Sequence, residues 1–268
     1  MLSSAIIVFR EVLEAALVVS ILLAATRGLA GRNHWICGGV LAGLAGAFVV
    51  ALLAGAISRT FGGSGQEMLN AGILLTAVAM LAWHNIWMAH HARDLIRHLE
   101  NVGTQVGEGS RPLYFLSVAA GLAVLREGSE VVLFLNGIAA GGSEGLSIFA
   151  GGMFGIAGGI AIGTLLYQGL LRIRTQSLFK VTGWMILLLA AGLAASAAGY
   201  LTQAGMLPSQ PPLWDTAHLL SEKSWIGQLL HILIGYQARP RPIQLAFYLA
   251  TVLLITMGMH WTSRRKRV

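Results

Sequence analysis

The chain has 268 residues, of which 56% are hydrophobic and only 11% are charged, and its mean hydropathy is +0.71. This composition indicates a protein with several membrane spans and excludes an ordinary water-soluble domain. The formal net charge is +7, but the basic residues are scattered through short loops and the C-terminal tail, which favours membrane topology over nucleic-acid binding. The single cysteine, Cys37, excludes an internal disulfide and a cysteine-based metal site.

Hydrophobic runs long enough to cross about 30 Å of hydrocarbon recur along the chain. They lie at roughly 5–26, 35–57, 69–89, 113–139, 146–170, 178–203 and 243–262. The sequence therefore predicts an all-α integral membrane protein with seven transmembrane helices. We expect the first run to be a retained span because no positively charged leader precedes it. The mixed-charge segment 90–111 is expected to continue the third helix into solvent, and the alternative is a histidine cluster that receives metal ions.

Lysines and arginines are distributed unequally between the two sides of this predicted bundle. Seven crossings place the loops after the first, third and fifth helices on the same side as the C-terminal tail. That side holds twelve of these residues and the other side holds four. Because basic loops are retained in the cytoplasm, we expect the N-terminus outside and the C-terminus in the cytoplasm.

Two short charged segments interrupt the apolar runs, one in the first helix and one in the fourth. They read Phe9-Arg10-Glu11-Val12-Leu13-Glu14 and Leu125-Arg126-Glu127-Gly128-Ser129-Glu130. On a helix that turns about 100° per residue, the three charged side chains of each segment share one face. A central arginine or aspartate costs about 2.5 to 3.5 kcal/mol on membrane-insertion scales. The charged faces therefore need a protein interior or a wet cavity, which makes them the default site hypothesis.

The two segments belong to a longer internal repeat. Residues 8–14 align with 124–130 at an offset of 116, and two ladders of small residues follow at an offset of 112. The ladders are Gly39, Gly43, Ala47, Ala51 and Gly55, and Gly151, Gly155, Gly159 and Gly163. Such ladders let helices approach closely. Because each copy has three helices, the second must insert upside down, as in transporters with a midplane site.

This repeat divides the chain into five parts. They are a first three-helix repeat at 1–92, a cytoplasmic connection at 93–112, a second, inverted three-helix repeat at 113–204, an extracytoplasmic loop at 205–242, and a seventh helix with a basic cytoplasmic tail at 243–268.

The carboxylates of the two charged segments are the first candidates for a metal site. They are Glu11, Glu14, Glu127 and Glu130. If the first and fourth helices face each other, these oxygens suit a hard or borderline cation. Arg10 and Arg126 are their ion-pair partners and can pair again with a glutamate as an ion leaves. The alternative is that each arginine only neutralises its glutamate and the cluster ties two helices together.

Two further groups are secondary candidates. Met80, His84 and Met88 recur every four residues on the third helix. They are either a stripe of soft ligands that passes a ferrous ion or ordinary packing residues. Asp215 and Glu222, in the predicted outer loop, either gather cations at an entrance or are solvated loop acids.

The paired Arg-Glu-x-x-Glu motifs, in the first and fourth helices of a seven-helix protein, resemble the high-affinity iron permeases of fungi and bacteria. Val12 stands where the family motif has Gly, and Ser129 stands where it has Leu, but the charged positions agree. The segments 83–88 and 214–222 look like the bacterial branch, so the resemblance covers nearly the whole chain.

The resemblance implies a permease that imports Fe(II) or Fe(III) across the bacterial cytoplasmic (inner) membrane, with the four motif glutamates handling the ion. Iron would then be the transported substrate, with no permanently bound cofactor. The implied partners are iron ions, the lipid bilayer, and a periplasmic iron-binding protein and a haem peroxidase of the same uptake system. No nucleic-acid partner is expected.

Three alternatives remain open at this point. A lead or manganese carrier would have the same carboxylates, because selectivity among such metals depends on geometry. An intramembrane enzyme would need a further nucleophile or a His-Glu-x-x-His run, which the sequence lacks. A receptor or assembly subunit would use the charges only to join helices.

Overall fold

The computed structural model describes residues 1–60, 66–142, 144–168, 175–221, 224, 226–227, 230 and 234–265. Within these ranges the chain forms seven long helices and no β-strand. The helices are α1 (Leu2–Ala25), α2 (Arg32–Thr60), α3 (Gln66–Gly107), α4 (Tyr114–Ala140), α5 (Gly145–Tyr167), α6 (Thr175–Gln203) and α7 (Pro242–Arg265).

Five of the described helices contain segments long and apolar enough to cross a membrane. These segments are Arg32–Gly55, Gln66–Met88, Gly145–Tyr167, Val181–Gln203 and Pro242–His260. α1 and α4 differ from these five because each carries three charged residues near its middle. The protein is therefore a multi-pass helical membrane protein, and the two helices that depart from a purely apolar pattern are the two that carry the charged segments.

α3 is the longest helix, with 42 residues, and it continues well beyond the end of its apolar segment at Met88. Its C-terminal part packs beside the end of α1, where Leu99 and Val106 join a core cluster with Leu22. The predicted helical extension of the third helix is confirmed. The sequence-based boundary at residue 92 falls inside this continuous helix.

The helices pack in two extensive pairs, α1 against α5 and α2 against α4, and glycines permit the close approach in both. A Cβ atom added to Gly155 on α5 would lie 2.7 Å from the carbonyl oxygen of Ala5. One added to Gly43 on α2 would lie 2.6 Å from the carbonyl oxygen of Gly121. The small-residue ladders therefore lie in the helix contacts, except at Gly55, and they allow backbone to meet backbone.

Among the five apolar segments, that of α6 is the most buried and that of α7 the least. Buried residues make up 67% of the apolar segment of α6 but only 6% of that of α7. α6 also packs along α3, where the buried Asn85 side chain donates a 2.9 Å hydrogen bond from Nδ2 to the carbonyl oxygen of Gly183. This bond satisfies a polar group that would otherwise be costly in an apolar interior.

The chain between α6 and α7 folds back on itself. The Leu213 N–H donates to the carbonyl oxygen of Pro240 at 2.9 Å, and the Thr216 N–H donates to that of Ala238 at the same distance. These bonds join the start of the loop to its end, so its described part is an ordered structure and not an extended linker.

Candidate metal centre

The charged faces of α1 and α4 meet inside the bundle, and α3 lies against both. On α1, Arg10, Glu11 and Glu14 are all buried, with no more than 3% of each residue exposed. On α4, Glu127 is also buried, and the Glu130 side chain is 15% exposed. The i, i+1, i+4 spacing places the three charged residues of each segment on one face of its helix, and all of them except the partly exposed Arg126 lie toward the interior.

Four side chains from three helices can each present one ligand atom within 4.8 Å of all the others. They are Glu11, His84, Glu127 and Glu130. Metal bonds to histidine and carboxylate are about 2.0 to 2.2 Å long, so donors on opposite sides of an ion are about 4 Å apart. Small side-chain movements would therefore close this group around a cation.

His84 links this group to the fourth motif glutamate. Its Nε2 atom lies 3.7 Å from Oε2 of Glu14, and its Nδ1 atom contacts Oε2 of Glu130. Glu14 is also held by Arg10, whose Nε atom is 3.0 Å from Oε1. The imidazole thus bridges a carboxylate of α1 and a carboxylate of α4, so all four predicted glutamates lie in one connected cluster.

Two buried oxygen atoms in the cluster lack both a hydrogen-bond donor and an ion-pair partner among the described residues. They are one oxygen of Glu11 and one oxygen of Glu127. A buried polar atom without a partner costs about 1 to 3 kcal/mol, and more when it is charged. A set of ion pairs that only joined helices would be expected to satisfy these atoms. Unused acceptors that converge on one space are instead typical of a cation site.

The two motif arginines lie in different surroundings. Only 2% of the Arg10 side chain is exposed, and its Nη1 atom is 3.2 Å from Oε1 of Glu11. The Arg126 side chain is 38% exposed and donates a 3.1 Å hydrogen bond from Nε to Oε1 of Glu130. Its guanidinium carbon lies 4.5 Å from the ring centre of Trp87, a cation–π contact. The two sequence copies are therefore not equivalent in the structure.

The methionines of the predicted soft-ligand stripe have different surroundings from its histidine. Met88 is buried, and Met80 packs against the core cluster that contains Leu81 and Phe134. The position of Met88 fits the packing interpretation, whereas Met80 also lines a groove together with His84 and Glu130. His84, which the sequence analysis placed only among the secondary candidates, reaches the carboxylates. A histidine within an otherwise apolar run was the signal for it.

The outer-loop candidate Asp215 is not part of this cluster. Asp215 accepts hydrogen bonds from Nε of Arg239 at 2.9 Å and from the Ala217 N–H at 2.9 Å, so both of its oxygens are engaged. The Arg239 guanidinium holds the pKa of Asp215 below its usual range. Glu222 lies outside the described residues.

A helical bundle with several membrane spans and a buried group of carboxylates and one imidazole is the architecture of a membrane transporter for cations.

Comparisons with known proteins specify the class further. The model of the Iron permease FTR1 family matches residues 1–263. The ferrous iron permease EfeU of Escherichia coli O6:H1 (strain CFT073) is 33% identical over 251 residues, which cover 91% of this chain and 89% of that relative. The ferrous iron permease EfeU of Yersinia pestis is 33% identical over 250 residues, with 91% and 87% covered.

No solved structure matches the chain. The chain belongs to the iron permease FTR1 family, and it is a transporter and not an enzyme. The resemblance that rested on the two Arg-Glu-x-x-Glu motifs is thereby confirmed.

Proposed function

We propose that this permease imports iron across the bacterial cytoplasmic membrane through a site near the middle of the bilayer. The site consists of the four motif glutamates and is completed by the imidazole of His84. The observation that carries this proposal is the convergence of buried carboxylates from α1 and α4 on one space, where one oxygen of Glu11 and one of Glu127 have no donor among the described residues. Measuring iron uptake after loss of one of these carboxylates tests it directly.

We propose Fe(II) as the transported ion. Carboxylates alone suit hard cations, whereas an added imidazole nitrogen suits divalent first-row transition metals. The relatives in Escherichia coli and Yersinia pestis are named as ferrous iron permeases, which agrees with this donor set.

Iron is a substrate in this scheme, and the site has to release it as well as bind it. Arg10 and Arg126 favour release because each can pair with a glutamate once the ion has left.

The contribution of the imidazole can be measured as a change in selectivity. We expect His84→Gln to weaken Fe(II) binding about 10- to 100-fold and to weaken Mn(II) binding less, because manganese depends less on nitrogen ligands. Competition between the two ions on the purified protein measures this ratio. His91→Gln is the matched control, because His91 lies on the same helix with its Nδ1 atom 3.1 Å from the carbonyl oxygen of Trp87 and is exposed. An unchanged Fe(II)/Mn(II) ratio in His84→Gln would exclude a ligand role for the imidazole.

We further propose that the chain has seven membrane spans and that α1–α3 and α4–α6 are inverted copies of one unit. The contacts of equivalent glycines support this arrangement. A Cβ atom on Gly39 would clash with the carbonyl oxygen of Ser117, and one on Gly151 would clash with that of Met1. The glycines are 112 positions apart and their partners 116, which are the offsets of the sequence repeat. Both pairs therefore use the same residues of the repeated unit.

The proposed topology has a direct test. We expect alkaline phosphatase fused after Arg267 to be inactive, because the basic tail is retained in the cytoplasm, where the enzyme does not form its disulfides. The same enzyme inserted after Gly205, at the start of the loop between α6 and α7, should be active. Activity of the fusion after Arg267 would reverse the assignment of the two sides.

The loop between α6 and α7 is the proposed docking surface for the partners that the resemblance implies, a periplasmic iron-binding protein and a haem peroxidase. Its ends are joined by backbone hydrogen bonds, and its surface carries an ion pair between Asp215 and Arg239. The loop also exposes large apolar side chains, including Trp214 and Leu219. An ordered loop on the outer side with both kinds of surface suits contact with a soluble protein. Chemical crosslinking in intact cells, with and without the loop's surface residues replaced, would identify what it contacts.

A further inference from the structure

A groove between α3 and α4 leads from the side of the bundle to the cluster. It encloses about 480 Å³. Its wall on α3 runs from Thr76 to Trp87, a distance of about 16 Å along the helix. Its wall on α4 consists of Arg126 and Glu130. The groove thus connects exposed positions on α3 with the exposed edge of an otherwise buried group of ligands.

Most of the groove wall is apolar, with Met80 and Trp83 among its residues, and a charged group lies at one part of it. Arg126 borders it with 38% of its side chain exposed, whereas the equivalent Arg10 is almost completely enclosed. Lipid chains offer no acceptor for a guanidinium, so an arginine exposed at this depth needs water or another polar surface. The groove also contains the hydroxyl-bearing Thr76 and the ring of His84.

Glu130 is the ligand that faces this groove. Its side chain is 15% exposed and lines the groove together with His84 and Arg126, while Glu11 and Glu127 lie farther inside with 0% and 6% exposed. A cation entering through the groove would therefore reach Glu130 before the other glutamates, at the point where Arg126 already pairs with it.

We infer that the groove between α3 and α4 is a hydrated approach through which the cation reaches Glu130 from the outer side of the membrane. This inference rests on the proposed function and adds the direction and the order of binding. In the proposed topology α3 begins outside, so the Thr76 end of the groove is its outer end. Arg126, stacked on Trp87, forms the inner end and separates the groove from the cytoplasmic side until an ion displaces it from Glu130.

Water accessibility of single cysteines tests this assignment without requiring transport. Cys37 is the only cysteine in the chain, so Cys37→Ser gives a background free of thiols. Ala79→Cys and Thr76→Cys place a thiol in the groove, and Leu75→Cys and Leu52→Cys place one on exposed positions outside it. A positively charged methanethiosulfonate reagent, added from outside to proteoliposomes of known orientation, reacts with thiolates that contact water.

We expect the two groove cysteines to react about tenfold faster than the two control cysteines. Fe(II), kept reduced with ascorbate, should slow the reaction at Ala79→Cys about threefold by occupying the site, and Glu130→Gln should abolish this slowing. Equal slow rates at all four positions would overturn the inference. So would an oxidant-induced disulfide between two copies at Ala79→Cys, because it would show that a second copy covers the groove.

Fast labelling that Fe(II) does not affect would also overturn the inference, because the hydrated groove would then not lead to the metal site. None of these outcomes decides whether the protein transports iron. A dry groove in a variant that still takes up iron would exclude this approach and leave the proposed site intact.

Discussion

Replacing Glu11 by Gln is expected to reduce iron uptake to background while the protein still inserts into the membrane. Glu11 is completely buried, belongs to the group of potential ligands, and has one oxygen without a donor among the described residues. Glutamine keeps the shape of the side chain but removes its charge. Loss of one charged partner in a buried polar cluster costs about 2 to 5 kcal/mol, which corresponds to about 30-fold or more in affinity.

Uptake of radiolabelled iron into proteoliposomes measures the effect, and size-exclusion chromatography of the purified variant reports whether it still folds. Glu67→Gln is the matched control, because Glu67 is an exposed acid in the first turn of α3. It should transport at the rate of the unmodified protein. Wild-type uptake by Glu11→Gln would mean that Glu11 is not a ligand and that the cluster has a structural role at this position.

The second large effect is expected on stability, at the contact between α1 and α5. Gly155→Ala should destabilise the protein by about 1 to 3 kcal/mol, because the added methyl group would lie 2.7 Å from the Ala5 carbonyl oxygen and 2.8 Å from Val8 Cβ. Gly152→Ala, on the same helix, meets nothing within 4 Å. Because alanine favours a helix over glycine by about 0.5 to 1 kcal/mol, this control should be neutral or more stable.

Thermal unfolding in detergent distinguishes the two variants, because their predicted shifts have opposite signs. On α2, one glycine in a close helix contact and one outside it allow the same comparison. Gly43→Ala should resemble Gly155→Ala, and Gly55→Ala, which has nothing within 4 Å, should resemble the control. Equal melting temperatures for Gly43→Ala and Gly55→Ala would mean that the two helix pairs do not have equivalent contacts.

The contact between α1 and α4 could be predicted from the sequence because charged residues in an apolar helix are costly in contact with lipid. Charged residues at i, i+1 and i+4 share one face of a helix, and that face must be shielded from lipid. Two such helices shield their charged faces when these faces contact each other. The small-residue ladders were visible for a similar reason, since bare backbone on one stripe indicates close helix contact. The ladders did not identify which helices pair, because α1 packs most extensively with α5 and α2 with α4.

Other features depended on neighbours that no local pattern specifies. The rotation of α3 brings the imidazole of His84 into contact with the carboxylates, which its spacing from Met80 and Met88 does not specify. The end of α3 could not be placed from hydropathy, because its polar half is held by packing of Leu99 and Val106 beside α1. Arg10 and Arg126 have identical positions in their motifs, and their different exposure arises from Trp87 and the groove beside it.

The glycine contacts have a consequence for how the protein arose. Each extensive pair joins a helix from one half of the chain to a helix from the other half, so neither half contains both partners. On the proposed inverted repeat, a solitary three-helix ancestor would have left the glycine face of its second helix bare. Such an ancestor would have required another molecule inserted in the opposite orientation, and fusion of the two genes would have made that antiparallel pairing permanent.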